Sequence, residues 1–311
     1  MIKKLAHDEI DKKKWDECIR NAFNGNAYAC SWFLDIVHPG WEALVEDDYI
    51  RVLPLTGRRK WGIDYLFTPF FTQQLGLFST TLLTPEVLNR FLREIGNRYR
   101  FAEYNLNVHN RTDDSSFRLI PNKNHLLDLI NEYPKTARKY SANTKRNLKK
   151  ALSNGLTLSK SAKPEEVVAL FRQNRGKSIR HWKDFHYLRL QHLMYMAIHK
   201  GRGVVYGVYT RENQLCAGAF FLKGNNHLIF LFSGADQTAR ELHALTFLID
   251  SVIRMFSGTQ LIFDFEGSNN PGLARFYRGF GGREVTYYRF YHNRLPFPLR
   301  QWKEWKQKYK G

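Results

Sequence analysis

One ordering of secondary-structure patterns constrains this chain more than any other feature. Strand hairpin, helix and strand occur in that order twice, about 155–160 residues apart. In the first half, strand-like runs cover 41–45, 49–55 and 61–68, with 56–59 as the turn between the last two. Thr84-Pro85-Glu86 then opens a helix, threonine as cap and proline at the first helical position. Leu88, Phe91, Leu92 and Ile95 give that helix an apolar face, and 101–107 reads as a strand. Helices over 8–23 and 31–37 precede the hairpins, the second stopped by His38-Pro39-Gly40. In the second half, strands at 203–209 and 217–222 flank a turn at 211–214, and 227–232 is a further strand. A helix over 239–256 places Leu242, Leu245, Leu248, Val252 and Phe256 on one side. The run 261–265 is mostly apolar, the pattern of a strand covered on both faces. The expectation is a duplicated α/β unit, with a basic helical segment at 134–155 between the copies.

Charge narrows the partners. The chain of 311 residues carries 48 Lys and Arg against 29 Asp and Glu, a formal charge of +19. Unpaired charge is expensive to bury, so the surplus lies on the surface, where it concentrates polyanions. From Tyr133 to Pro164 there is no acidic residue, and Lys145, Arg146 and Lys149 fall in that stretch. A second basic run spans 172–189, opposed only by Asp184, and 289–310 is basic again. With 43% hydrophobic residues the chain is not disordered. No apolar window is long enough to span a bilayer, and no secretory leader is visible at Met1, so a cytoplasmic location is expected. Three scattered cysteines fit a reducing compartment and form no zinc pattern. No Walker loop, nucleophile elbow or His-Glu-x-x-His is present, and no metal site is expected.

The chemistry-bearing segment is 263–282. An apolar strand ends in Asp264 and Glu266, which alternate with Phe263 and Phe265 and so are expected on one side. A Gly-Ser-Asn-Asn-Pro-Gly turn and a short helix follow. Ligands of open α/β sheets bind beyond the carboxyl ends of strands, which is where Glu266, Ser268 and Asn269 fall. A structural reading stays open beside it: Asp264 tied to backbone groups, and Ser268 or Asn270 only capping the helix.

The spacing Asn270…Tyr277…Gly281 resembles the last strand-to-helix unit of GNAT acyltransferases, although Gly282 stands where that family usually has Phe. In that superfamily the tyrosine often acts as general acid, which makes Tyr277 the candidate. The segment Tyr140-Ser-Ala-Asn-Thr-Lys-Arg-Asn-Leu-Lys-Lys-Ala151 is similar to one in Fem-type peptidyltransferases and their GNAT-like relatives. Asp264-Phe-Glu-Gly-Ser268 with Ala274-Arg-Phe-Tyr277, Ser31-Trp32 with Trp41-Glu-Ala-Leu44, and Pro69-Phe-Phe-Thr-Gln-Gln-Leu-Gly76 fit the same group. The resemblance covers residues 28 to 298. It implies α/β architecture with two tandem GNAT-like domains, each a mixed central sheet flanked by helices. The expected domains are 1–133, a basic interdomain helix 134–155, a second domain 156–298, and a basic tail 299–311 packing back on the first. Fem enzymes transfer amino acids from aminoacyl-tRNA to a peptidoglycan precursor.

The implied function is transfer of an acyl or aminoacyl group from an activated donor to an amine. Glu266 would take the amine proton or anchor the ammonium, with Asp264 beside it and Tyr277 as the acid. Backbone N–H groups near 232–234 would stabilise the oxyanion. Lys145, Arg146, Lys149, Arg240 and Arg275 would meet phosphates, with Ser268 and Asn269 at the strand end and Trp32 and Lys60 on the first half for the acceptor. No permanently bound cofactor is expected; the donor is aminoacyl-tRNA or acyl-CoA, and a tRNA or nucleotide-linked precursor is the polyanionic partner. Acyl-CoA is disfavoured because 233–244, where a phosphate-binding loop would lie, has no paired glycines after Gly234 and carries Asp236 and Glu241. An acyl-CoA-dependent transferase with an unusual pyrophosphate site, and a non-catalytic polyanion-binding module, are the competing readings.

Overall fold

The computed structural model describes residues 1–179 and 181–308. Arg180 of the second basic run and the last three residues of the basic tail lie outside it. The chain divides into two compact units: Met1–Asn122 together with the segment from Thr286 onward, and Lys123–Val285.

In chain order, unit 1 begins with β1 (Ile2–Leu5), α1 (Lys12–Asn21), α2 (Ser31–Val37), β2 (Glu42–Glu46), β3 (Arg51–Leu55), β4 (Gly57–Lys60), β5 (Ile63–Phe67), β6 (Phe78–Ser79), α3 (Pro85–Arg98) and β7 (Phe101–Asn105), followed by β8 (Arg118–Asp128), within which the chain passes into unit 2. Strands β1, β2, β3 and β6 form one antiparallel sheet. In a second sheet the β4–β5 hairpin continues into β7, which runs parallel to β5 in the register Tyr65↔Phe101 to Phe67↔Glu103. Caps start the helices as the sequence signals: the Asp11 carboxylate accepts from the Lys13 and Lys14 amides, and the Thr84 hydroxyl accepts from that of Val87. The core holds Trp15, Trp41, Phe33, Phe78, Phe91 and Tyr104, all fully enclosed.

Unit 2 follows with α4 (Tyr133–Arg138), α5 (Ala142–Ser153), β9 (Thr157–Ser159), α6 (Pro164–Gln173), α7 (Asp184–His199), β10 (Gly203–Tyr209), β11 (Leu215–Gly224), β12 (His227–Ala235), α8 (Gln237–Glu241), α9 (Ala244–Phe256), β13 (Ile262–Asp264) and α10 (Pro271–Arg278). The chain returns to unit 1 within β14 (Arg283–Asn293), which pairs with β7, and ends in α11 (Leu299–Lys308). The unit 2 sheet runs β8-β13-β12-β11-β10-β9, and β12 and β13 are parallel. Leu248, Val252 and Ile253 of α9 join the buried cluster of Phe221, Phe263, Phe265 and Phe280. On the other face α6 lies directly on β11 and β12. A Cβ at Gly234 would stand 2.3 Å from the Val167 carbonyl oxygen, so only glycine admits the helix there. Among the described residues no helix is long and apolar enough to cross a membrane.

Both copies of the hairpin–helix–strand pattern are present, as β4–β5–α3–β7 and β11–β12–α9–β13. Three local readings need correction. Residues 57–60 are strand, not turn; the hairpin turns at Trp61 and Gly62, both with positive φ. The helix read over 239–256 breaks at Leu242-His243, where His243 has φ 57° and restarts the helix as α9. The basic segment 134–155 is two helices, because Ser141 caps α5 with its hydroxyl and interrupts α4 before it.

Candidate functional site

The site begins with a parting of strands. The parallel ladder between β12 and β13 lasts three positions, His227↔Ile262 to Ile229↔Asp264. A bulge at Leu231 then bends β12, since Phe220 and Phe221 of β11 face Phe232 and Phe230. Strand β12 continues to Ala235, whereas β13 stops at Asp264 and the Phe265 amide turns to the His125 carbonyl on β8. Among the described residues, no strand pairs with 230–235 of β12 on the β13 side.

The two carboxylates do not continue the strand alternation. Glu266 has φ 53°, so the backbone turns there, and its amide donates to the Asp264 carboxylate at 2.8 Å. The conformation is uncommon for a residue with a side chain and marks a held position. Asp264 is enclosed; burial pushes its carboxyl up, while His227, the Glu266 amide and the Asn124 side chain favour the ionised form. Asp264 is thus a brace beneath the turn, and Glu266 is the half-buried carboxylate at its edge. Gly267 is required by close approach, because a Cβ there would stand 2.2 Å from the Asn124 Cα.

Tyr277, on α10, is buried against Phe265 (ring centroids 5.1 Å apart). Burial first, and then the negative charge of Glu266, push its phenol up to about 12. It therefore keeps its proton at neutral pH, the state a general acid needs. The sequence reading missed His125. Its imidazole is fully enclosed, 5.9 Å from the Tyr277 ring, with neither ring nitrogen hydrogen-bonded and Nε2 3.9 Å from the Glu284 carboxylate. Burial lowers its pKa, so it is neutral. The signal was a polar pair, Asn124-His125, ahead of Leu126 and Leu127, in a stretch not read as a strand.

The remaining candidates scatter. The Asn270 side chain accepts from the Gly272 and Leu273 amides, Ser268 accepts from the Asn270 amide, and Asn269 accepts from that of Lys123. These contacts build the turn. Lys145, Arg146, Lys149 and Arg240 are exposed. Lys145 donates to the Arg138 carbonyl and Arg146 to Asn143. Arg146 and Lys150 lie close enough to His243 to lower its pKa, after burial as the larger cause, so a basic face borders the α9 N-terminus. Arg275 borders a cleft of about 590 Å³ between α5, α9 and α10, with Asn143, Asn147, Thr246, Phe276 and Arg278. Asp264, Glu266 and Tyr277 do not line that cleft. In unit 1, Trp32 is half-buried with its indole N–H enclosed and unpartnered, and Lys60 is exposed, 4.5 Å above the Trp61 ring. Burial pushes the Cys18 thiol up to about 12 and the Cys216 thiol up to about 11, so neither is a thiolate nucleophile.

A strand pair that parts at a bulge, followed by a carboxylate turn and a tyrosine-bearing helix, makes the centre of unit 2. Residues 138–271 match the family model described as Acetyltransferase (GNAT) domain. Over the chain, the fold is similar to that of FemX, with 12% identity, 97% of this chain and 100% of that chain covered, and a TM-score of 0.68. A conserved protein of unknown function from Bacteroides thetaiotaomicron (11% identity, 91% and 97% covered, TM-score 0.58) and L-PGS from Bacillus licheniformis (11%, 93% and 94%, 0.55) share it. Among curated proteins none matches the sequence. The chain has the tandem GNAT-like fold of the Fem type.

Proposed function

We propose that the chain is an N-acyltransferase whose reaction takes place in unit 2, with aminoacyl-tRNA as the donor and an amine, such as that of a cell-wall precursor, as acceptor. The observation that carries this reading is the parting of β12 from β13 with Glu266 at its edge and protonated Tyr277 beside it. The acceptor nitrogen attacks the ester carbonyl carbon, the new C–N bond forms, and the carbon–oxygen bond to the ribose breaks. Glu266 takes the proton from nitrogen; Tyr277 gives one to the departing ribose oxygen and recovers it from Glu266. In this reading, amides of β12 beyond the bulge stabilise the oxyanion.

The approach to α9 argues against a CoA pyrophosphate. Helix α8 precedes it immediately, Asp236 caps α8, and the Leu242 and His243 amides are already bonded to Thr238 and Arg240. The basic face of α5 instead suits a longer polyanion. The family model matched by 138–271 keeps acyl-CoA as the second reading. The test uses a pool of tRNA charged with labelled amino acids and glycinamide as acceptor, beside thermal melting with acetyl-CoA. The proposal expects label to move to glycinamide, with melting unchanged by about 1 mM acetyl-CoA. Stabilisation by acetyl-CoA with no movement of label would overturn the donor assignment.

A further inference from the structure

Unit 1 exposes large aromatic side chains at two places that share one foundation. The first is the tip of the β4–β5 hairpin, where Trp61 is 81% exposed. Its φ is 52°, a conformation that glycine or asparagine adopts freely and a bulky residue does not. A tryptophan held there and left in solvent serves neither the turn nor the core. The second is the segment leading into α11, where Phe297 is 80%, Trp305 59% and Trp302 47% exposed.

The orientation of α11 is fixed from beneath. Glu304 receives hydrogen bonds from Tyr291 at 3.1 Å and Asn293 at 2.7 Å and pairs with Arg118. Lys303 lies 4.3 Å from the Phe101 ring. With 303 and 304 turned inward, 302 and 305 face out. Leu299 of α11 and Ile63 of the hairpin pack on the same cluster of Phe101, Tyr291 and Leu295, so the two aromatic places rise from one base. Exposed cations accompany them: Arg58, Arg59 and Lys60 on the hairpin, Arg300 and Lys306 on α11. The carboxylates nearby are engaged, Asp64 by Arg59 and Glu304 as above.

We propose that this face of unit 1 docks on an anionic lipid bilayer surface. Tryptophan and phenylalanine flanked by lysine and arginine suit the headgroup boundary, where rings enter and ammonium groups remain among the phosphates. The aromatic groups project from a hairpin tip and a helix face. Lys60 covers one face of Trp61 at 4.5 Å, and Lys306 one face of Trp302 at 4.0 Å, faces that a stacked nucleobase would need. An anionic bilayer meets both the charge and the geometry; single-stranded RNA meets only the charge.

The test is cosedimentation of the full chain with phosphatidylcholine vesicles containing about one-third phosphatidylglycerol, against pure phosphatidylcholine vesicles. Binding at least about tenfold stronger to the anionic vesicles is expected, with tryptophan fluorescence quenched by brominated lipid. Combining Trp61→Ser, Phe297→Ser, Trp302→Ser and Trp305→Ser should lower vesicle binding by about tenfold or more while charged-tRNA binding persists. If that variant does not fold, Trp61→Ser alone, at a fully solvated tip, must still weaken binding. Absence of binding by the wild type, unchanged binding by the variants, or loss of tRNA binding with vesicle binding intact would each overturn the proposal. None of these readouts depends on acyl transfer.

Discussion

The two units make the same turn of chain and finish it differently. In each, a strand, a helix and a second, parallel strand follow in order: β5–α3–β7 in unit 1 and β12–α9–β13 in unit 2. Beyond the β5–β7 ladder, the returning segment 73–77 is stitched to the end of β7 and the residues after it. Asn105 donates to the Gln73 carbonyl at 2.8 Å, Asn107 to those of Leu75 and Leu77, and Asn110 to Leu77 at 2.9 Å, while Leu75 and Leu106 form a parallel bridge. Gly76 admits this closure, since its φ is 92° and a Cβ would stand 2.1 Å from the Asn110 amide oxygen. Beyond the β12–β13 ladder the strands part, and two positions past the last ladder pair the chain carries Glu266 where unit 1 carries Asn105. One copy closes the notch with neutral hydrogen bonds and gains rigidity. The other leaves it open beside a carboxylate and a protonated phenol.

The contrast can be broken by exchanging its consequences. Glu266→Gln removes a base from a half-buried edge at nearly unchanged volume and should slow transfer by about 10²–10⁴-fold with little change in melting, measured as label transfer from charged tRNA. Asn107→Ala strands the Leu75 carbonyl in the interior, while that of Leu77 keeps Asn24 and Asn110; it should cost about 1–2 kcal/mol in denaturant unfolding and leave the transfer rate per folded molecule unchanged.

Two smaller effects sharpen the same division through pH. In unit 1, burial pushes the Glu46 carboxyl up, but Arg51 and Arg90, each 2.6 Å away, outweigh it and hold it below the usual range. A lowered folded pKa stabilises above the unfolded value near 4.3, and that contribution is lost as pH falls through the folded one. Glu46→Gln should therefore be destabilised by about 1–2 kcal/mol at pH 7, with the gap from wild type closing below about pH 4 in melting curves. In unit 2, His125 acts in the same direction but in a higher pH window. Its lowered pKa means that the unfolded chain binds the proton more readily below about pH 6.5, so stability falls as pH drops from there. His125→Leu should flatten that slope and raise stability at neutral pH by about 1 kcal/mol or less.

How far the sequence foretold this depends on the reach of each interaction. The duplicated strands and helices were readable because the apolar spacing within each element is local, as in Leu248 and Val252 on α9. The strand end, turn and helix that carry Glu266 and Tyr277 were readable for the same reason, whereas Tyr277 itself was singled out by its resemblance to the GNAT spacing. Their setting was not. Asn124 and His125 reach the site through the pairing of β8 with β13, across more than a hundred residues, and nothing local to 118–128 announces that strand. The break at His243 depends on a single left-handed residue, and the turn at Trp61 on a conformation that tryptophan seldom takes. The same-side expectation for Asp264 and Glu266 assumed that the strand continued, whereas it ends between them. Trp32 lies on a segment that resembles Fem-type proteins and Lys60 does not; the indole N–H of Trp32 is enclosed, and Lys60 is exposed.

The most direct test sets the two notches against each other in one assay. Initial rates of label transfer are measured for Glu266→Gln and Asn107→Ala, each normalised to its folded fraction, beside the wild type. The account predicts a rate reduced at least about hundredfold in the first with wild-type melting, and a wild-type rate in the second with lowered melting. A wild-type rate in the Glu266 variant, or a collapse of rate in folded Asn107→Ala protein, would contradict it.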